Sequence, residues 1–305
     1  MLAYSLMKLM SRIACVQPTC FNDALAYALG QIGWLATPKW RRYMAKENVK
    51  ECLGVSETEA ERIAKESVTR FGRMLIEVLR YPLINQANFR NLVHFEGLEH
   101  LEEAYAEGRG VIMCTAHYGN WEMLGASMAL LGYPILSITR KQNDGDADRF
   151  INEYRQMVGQ HVTYNHGKSS MLSIGRYLKD KHLVGILYDQ DSAHTGEHLE
   201  LFGKPARVPD GAAQLARVFK APIVPLFMHN HPEGPLPAVI HPCFHADPQL
   251  SREENSHVIM EKLIRIAEEE IRRDPAMWFW VHDRWKDGKR RYRDRKHFST
   301  PMTGN

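Results

Sequence analysis

Gly110-Val111-Ile112-Met113-Cys114-Thr115-Ala116, running directly into His117-Tyr118-Gly119-Asn120-Trp121-Glu122, is the stretch whose reading decides the fold. The apolar run is too short for a helix and reads as a strand. Asn120 is an N-cap candidate for the helix that follows, which puts Glu122 in its first turn, at the positive end of the helix dipole. A strand-to-helix turn therefore carries His117. Imidazole at a strand end can take a proton from an alcohol, and a carboxylate five residues on can orient and polarise the ring. On a continuous helix residues i and i+5 point about 140° apart, so the pair meets only if His117 lies before the helix. The bland alternative is a capping asparagine beside a satisfied histidine.

Outward from this turn, apolar runs alternate with amphipathic ones. Ser56-Glu57-Thr58-Glu59 is a capping box, and Ala60, Ile63, Ala64, Val68, Phe71, Leu75, Val78 and Leu79 form one helical stripe that Pro82 ends, predicting a helix that covers the catalytic layer. Strand-like and helical segments then follow: 94–96, helix 98–107, strand 110–116, helix 120–131, strand 134–139, helix 147–158, helix 170–179, strand 182–188, helix 210–219 and strand 222–227. Such alternation predicts an α/β fold with a largely parallel central sheet flanked by helices, its ligands at the carboxyl ends of the strands. His117, Arg140 and Asp189 each follow a strand, which favours one shared site.

Three further blocks complete the pattern: Asp189-Gln190-Asp191 after the strand 182–188, Leu201-Phe202-Gly203-Lys204-Pro205-Ala206, and Pro275-Ala276-Met277-Trp278-Phe279-Trp280-Val281-His282-Asp283-Arg284-Trp285-Lys286. In this order and spacing, with the 117–122 motif, they resemble the late acyltransferases of lipid A biosynthesis, lauroyl and myristoyl transferases within the lysophospholipid acyltransferase superfamily. The resemblance spans most of the chain, from Arg41-Arg42-Tyr43 onward. It implies His117 as general base, Glu122 as its partner and Arg140 as an active-site cation. The sequence departs from many members by carrying Lys141 after Arg140 where they carry proline, and by a less clear membrane-spanning helix at the start. The resemblance further implies a donor that is acyl-acyl carrier protein, with acyl-CoA second, and as acceptor a lipid A precursor, at the cytoplasmic face of a Gram-negative inner membrane. Asn120, Lys141, Asp189, Asp191 and Arg284 are the substrate-binding candidates. Asp189 and Asp191 either orient Arg140 or the acceptor sugar, or simply form turns.

With 39 basic and 36 acidic residues the chain is nearly balanced, and neither a G-x-G-x-x-G nor a G-K-[ST] motif occurs, so a nucleotide, flavin or other cofactor is not expected, nor is a nucleic-acid partner. Five scattered cysteines suggest neither a disulfide framework nor a thiolate metal site. Cys114 reads as a small apolar strand residue rather than a nucleophile. His194-Thr195-Gly196-Glu197-His198 matches an inverted zinc-protease motif, but Gly196 and the neighbouring polar residues indicate a loop, which demotes a zinc hydrolase. His229-Asn230-His231 and His241-Pro242-Cys243-Phe244-His245 read as surface turns. Residues 1–54 divide off as a helical, membrane-associating region from an acyltransferase domain at 55–305. Met1 to Val16 is interrupted by Lys8 and Arg12, and Ala24 to Ala36 falls short of the roughly 20 residues a bilayer span needs. An interfacial anchor is the expectation, assisted by Lys39, Arg41, Arg42, Lys46 and Lys50, with ordinary core packing of both helices as the alternative. The basic run from Lys286 to Lys296 is a second candidate for an anionic lipid or acidic carrier protein. A different glycolipid acceptor, such as a phosphatidylinositol mannoside, and a non-catalytic membrane binder complete the alternatives.

Overall fold

Strand β2 (Val111–Thr115) is buried along its whole length, and its side chains divide between two cores. Ile112 and Cys114 face one cluster, while Val111 and Met113 face the other. A strand covered on both sides is apolar nearly throughout, which is why no alternation of polar residues marks it and Thr115 at its end is its one hydroxyl. In the computed structural model, which describes residues 2–165, 168–191, 196–230, 234–286, 289 and 291–292, β2 is the middle strand of a seven-stranded sheet.

The other strands are β1 (Val93–Glu96), β3 (Ile135–Thr139), β4 (Gln160–Tyr164), β5 (Leu183–Leu187), β8 (Ile223–Met228) and β9 (Leu236–Ile240). Their order is β1-β9-β8-β2-β5-β3-β4. Every pairing is parallel except β8 with β9. The expected α/β architecture is thus present. A separate antiparallel hairpin, β6 (Glu197–Leu201) with β7 (Lys204–Val208), carries the Leu201–Ala206 block. The strand at 160–164 and the hairpin had no signal strong enough to predict them, being short and half-polar; β9 is apolar but short and begins Leu236-Pro237.

Helices α5 (Leu98–Ala106), α6 (Trp121–Leu130) and α7 (Gly145–Met157) supply or lie beside one core. On the other side of the sheet are α8 (Lys168–Lys179), α9 (Gly211–Phe219) and α10 (Arg252–Arg273). Helix α10 is held by a full capping box between Ser251 and Glu254, a signal the sequence contains and the reading above passed over.

Helix α4 (Glu57–Leu79) begins with the Ser56 hydroxyl accepting from the Glu59 amide at 3.2 Å. Its buried stripe includes Ala60, Ile63, Ala64, Val68, Val78 and Leu79 as expected, but Gly72, Met74 and Ile76 face inward while Leu75 is 44% exposed. Before it come α1 (Leu2–Val16), α2 (Thr19–Ala36) and α3 (Lys39–Leu53). Helices α2 and α4 cross backbone to backbone at Gly30 and Gly72. A Cβ on Gly30 would stand 2.5 Å from the Thr69 Cα, and one on Gly72 would stand 2.5 Å from the Ala26 carbonyl oxygen. Trp34, Ala45 and Val49 join the same core cluster as Val184 and Phe227 of the sheet. The inner faces of these helices are therefore packed as core, while Leu2, Leu6, Leu9, Ile13 and Val16 form an exposed stripe along α1. Among the described residues, no helix is long and apolar enough to cross a membrane.

Candidate active site

The parallel pairing of β2 with β5 runs Thr115 opposite Leu187. Two residues further along each strand stand His117 and Asp189, side by side at the carboxyl edge of the sheet. The Asp189 carboxylate takes His117 Nδ1 on Oδ1 at 2.7 Å, and on Oδ2 it accepts the His117 backbone amide at 3.0 Å and the Trp278 indole N–H at 2.8 Å. Burial by itself raises a carboxyl pKa, but the His117 charge and these three donors outweigh it and hold Asp189 down at about 2. The carboxylate is ionised at neutral pH and can only accept, so His117 Nδ1 carries the proton and Nε2 of the neutral ring holds the lone pair. That lone pair meets the Gln190 side-chain amide at 3.0 Å.

The catalytic turn itself is locked by its neighbours. Asn120 caps α6, its Oδ1 accepting the Met123 amide at 2.8 Å, and its amide nitrogen donates to Glu77 of α4. Gly119 has φ +58°, and a Cβ there would stand 1.7 Å from the Met228 carbonyl oxygen, so only glycine fits. The Trp278 segment is zipped onto the turn: the Gly119 amide donates to Met277 O at 2.9 Å and the Phe279 amide to His117 O at 3.1 Å.

Glu122 is not the partner of His117. Its carboxylate is bound in a two-pronged ion pair by Arg155 of α7, with Nε to Oε2 at 2.8 Å and Nη2 to Oε1 at 2.6 Å, both side chains buried. The reason is helical phase. Trp121, the first residue of α6, packs its ring at 5.1 Å from that of His117, and the next residue is rotated about 100° around the axis, into the layer between α6 and α7. Arg155 had drawn no attention in the sequence, although an unpaired arginine on an amphipathic helix opposite a buried glutamate is the natural complement.

The remaining sequence candidates separate. Arg140 and Lys141 lie exposed just past β3, which β5 separates from β2, so they stand about 10 Å across the sheet from His117. Asp191 meets Lys286 at 3.6 Å. Arg284 is fully buried at 1% exposure and, with His117, Asp189, Gln190, Trp278, Phe279 and His282, lines a small pocket at the carboxyl edge of the sheet. A larger, more open cleft of about 480 Å³ lies on the other side of Trp121 and Phe279, where Phe71, Met74 and Met277 supply apolar walls and Arg70, Arg73, Glu77 and Asn120 polar ones. Phe71 stacks near Trp121 and Phe279, with ring centroids 6.1 and 5.5 Å away, so α4 packs against the 117–122 turn and the Trp278 segment.

Cys114 is wholly buried, and burial pushes its thiol pKa far up, which removes it as a nucleophile. His229 and His241, expected in plain surface turns, instead flank the buried Glu270 of α10: His229 Nε2 lies 2.6 Å and His241 Nε2 3.1 Å from its carboxylate, which Arg273 also reaches at 3.0 Å. Tyr118, beside the base, donates to the Glu270 backbone carbonyl at 3.1 Å. Tertiary packing alone brings these groups together. In the zinc-protease-like motif, Glu197 and His198 are consecutive residues of a strand, not of a helix, and His194 lies outside the described residues, as does His231. Most of the basic run 286–296 also lies outside them.

A histidine–aspartate pair thus stands on adjacent parallel strand ends, with a cleft of mixed apolar and polar walls on the far side of Trp121. The family described as bacterial lipid A biosynthesis acyltransferase matches residues 10–287. The chain belongs to that family. It is accordingly an enzyme that transfers acyl groups, with a lipid A precursor or another glycolipid as the class of acceptor. It is 27% identical over 223 residues to the phosphatidylinositol mannoside acyltransferase of Mycobacterium tuberculosis, covering 66% of this chain and 70% of the relative. With the lipid A biosynthesis palmitoleoyltransferase of Escherichia coli it shares 26% identity over 262 residues, covering 84% and 83% of the two chains. A solved structure, the 1-acyl-sn-glycerophosphate acyltransferase of Thermotoga maritima, is similar at a TM-score of 0.37 and 15% identity, covering 78% of this acyltransferase and 97% of the other chain.

Proposed function

We propose that this acyltransferase moves a fatty acyl chain from the thioester of acyl-acyl carrier protein, with acyl-CoA as second donor, to a hydroxyl of a lipid A precursor, using His117 as general base and Asp189 as the group that holds it. The observation that carries this reading is the Asp189 carboxylate, which accepts His117 Nδ1 and leaves Nε2 as the basic atom. An acceptor hydroxyl displaces the Gln190 amide from Nε2, gives its proton to that nitrogen and attacks the thioester carbonyl directly. Asp189 stabilises the imidazolium that results, as an orienting carboxylate does in hydrolytic triads. In the cleft across Trp121 the apolar walls of Phe71, Met74 and Met277 offer a place for an acyl chain, and Arg140 and Lys141 on the exposed rim supply charge for acceptor phosphates. Glu122 supports the site indirectly, by fixing α6 against α7 through Arg155.

The acceptor preference rests on the similarity to the Escherichia coli enzyme, which extends over more of both chains. The mannoside enzyme's match is the specific observation for a second reading, in which a phosphatidylinositol mannoside is acylated. Incubating the purified protein with acyl-acyl carrier protein and each acceptor in turn, with mass spectrometry of the lipid product, decides between them; transfer to neither refutes the reaction.

The same reading places the protein at the cytoplasmic face of an inner membrane, held at the interface rather than across it. Support comes from the exposed apolar stripe of α1 and from exposed Phe21, Tyr27, Ile32 and Leu35 on α2, side chains suited to shallow burial among lipid headgroups. Two of the cations expected to assist are engaged within the protein, Lys46 by Glu57 and Arg41 by the Val281 carbonyl at 2.9 Å, so apolar contact dominates this attachment.

A further inference from the structure

The C-terminal block leaves an unusual set of groups beside the base. Arg284 is 1% exposed, yet Nε, Nη1 and Nη2 all lack a hydrogen-bond partner. It forms no salt bridge within 4 Å among the described residues. His282 Nε2 is also buried and unpartnered. Both residues line, with His117 and Gln190, the same small pocket. The nearest carboxylates are committed elsewhere, Asp189 to His117 and Trp278 and Asp191 to Lys286. Burial depresses the guanidinium's pKa against the pull of these two aspartates.

A buried cation without a partner costs folding free energy, and buried polar groups are otherwise almost always satisfied. Such a cost is retained where a ligand completes the site. We propose that Arg284, with His282 beside it, is a binding site for an anionic oxygen next to His117, and that its occupant is the oxyanion of the tetrahedral intermediate. This assignment rests on the acyl-transfer reading above. In that step the acceptor O–H proton passes to His117 Nε2, the acceptor oxygen bonds to the thioester carbon, and the carbonyl π pair moves onto its oxygen, where Arg284 neutralises it. Collapse restores the carbonyl, breaks the C–S bond and returns the proton from His117 to the departing sulfur. Each atom and charge is accounted for without a co-reactant. A phosphate group of the donor arm or of the acceptor offers the same oxygen chemistry and is the competing source.

The test uses the full chain carrying Arg284→Met, which keeps the length and removes the charge, and Arg284→Lys. For an oxyanion site, Arg284→Met lowers kcat by about 100- to 1,000-fold with the KM of both substrates within about threefold, and Arg284→Lys recovers part of the rate. Thermal melting of Arg284→Met without substrate is unchanged or higher, because an unpartnered charge has been removed. If instead KM for one substrate rises while kcat holds, and inorganic phosphate quenches the tryptophan fluorescence of the native protein but not of Arg284→Met, the oxyanion assignment is overturned in favour of a phosphate. Near-native kinetics, or a melting temperature well below native or failure to fold in Arg284→Met, overturns the anion site altogether. Absence of transfer by the native enzyme to either acceptor would instead count against the acyl-transfer reading, while melting and phosphate quenching still report on Arg284.

Discussion

Replacing Asp189 with asparagine preserves the shape of the site and should disable its chemistry. Two N–H donors, the His117 amide and the Trp278 indole, converge on Oδ2, whereas Oδ1 serves only His117 Nδ1. The single carbonyl oxygen of an asparagine therefore belongs on the Oδ2 side, and its NH2 group must face Nδ1. The imidazole then has to accept there, which moves its proton to Nε2 and removes the lone pair that takes the substrate proton. Charge is lost as well. The Asp189 pKa, held down from 3.8 to about 2 by the His117 charge and the donors around it against the opposing effect of burial, corresponds to about 1–3 kcal/mol of favourable interaction with the ionised carboxylate, on the order of 10- to 100-fold in rate for the share the imidazolium feels. The tautomer change adds to this, and the equivalent substitution in a serine protease costs about 10,000-fold. We expect kcat to fall by about 100- to 10,000-fold with little change in KM or in melting temperature, read in single-turnover transfer of a labelled acyl chain beside a thermal melt. An Asp189→Asn protein that kept more than about a tenth of the native rate would refute the dyad. Asp189→Ala is the poorer test, since it orphans two buried donors at about 1–3 kcal/mol each and mixes stability with chemistry.

Glu122→Ala should lower stability by about 3–5 kcal/mol in urea titration by leaving Arg155 buried and unpaired; Glu122→Met with Arg155→Met should recover most of that loss, and a single variant as stable as native would remove the pair's structural role. Cys114→Ala should leave kcat within a few-fold of native, whereas stoichiometric acylation of Cys114 by the donor would demand a covalent route. Asp189 and Glu270 both have folded pKa values of about 2, below their ordinary 3.8 and 4.5. Burial opposes both shifts, the His117 partner overcoming it for Asp189 and the His229 and His241 partners for Glu270. Their contribution is complete above pH about 4.5 and is lost as the pH falls toward 2, so Glu270→Gln should flatten the acid limb of a stability–pH curve, and an unchanged limb would contradict it. Changing Leu6, Leu9 and Ile13, each about half exposed, together to serine should cut vesicle partitioning by roughly 50-fold, at about 0.8 kcal/mol per side chain for the exposed half, while undiminished flotation would move the membrane contact away from α1.

Local chemistry made much of this protein readable without coordinates. The largely apolar β2, the Asn120 cap, the Ser56 cap and the alternation from residue 94 onward depend on neighbours in the chain, so the parallel α/β layout and the placing of His117 on a strand-to-helix turn were already written there. Glycine at position 119 reads as a turn, but only the Met228 carbonyl behind it shows why no side chain is tolerated. The identity of the carboxylate that serves His117 was beyond local reading. Glu122 is five residues away and Asp189 is 72, yet helical phase turns Glu122 toward Arg155, while β5 settles beside β2 in a register that sets Asp189 against the ring. Strand order is decided by how all seven strands and both cores pack together, and a sequence pattern that reports one face or one turn at a time carries no record of it. The same holds for Trp278 and Arg284, more than 150 residues from the base along the chain, which reach it only because the segment after α10 folds back along the catalytic turn.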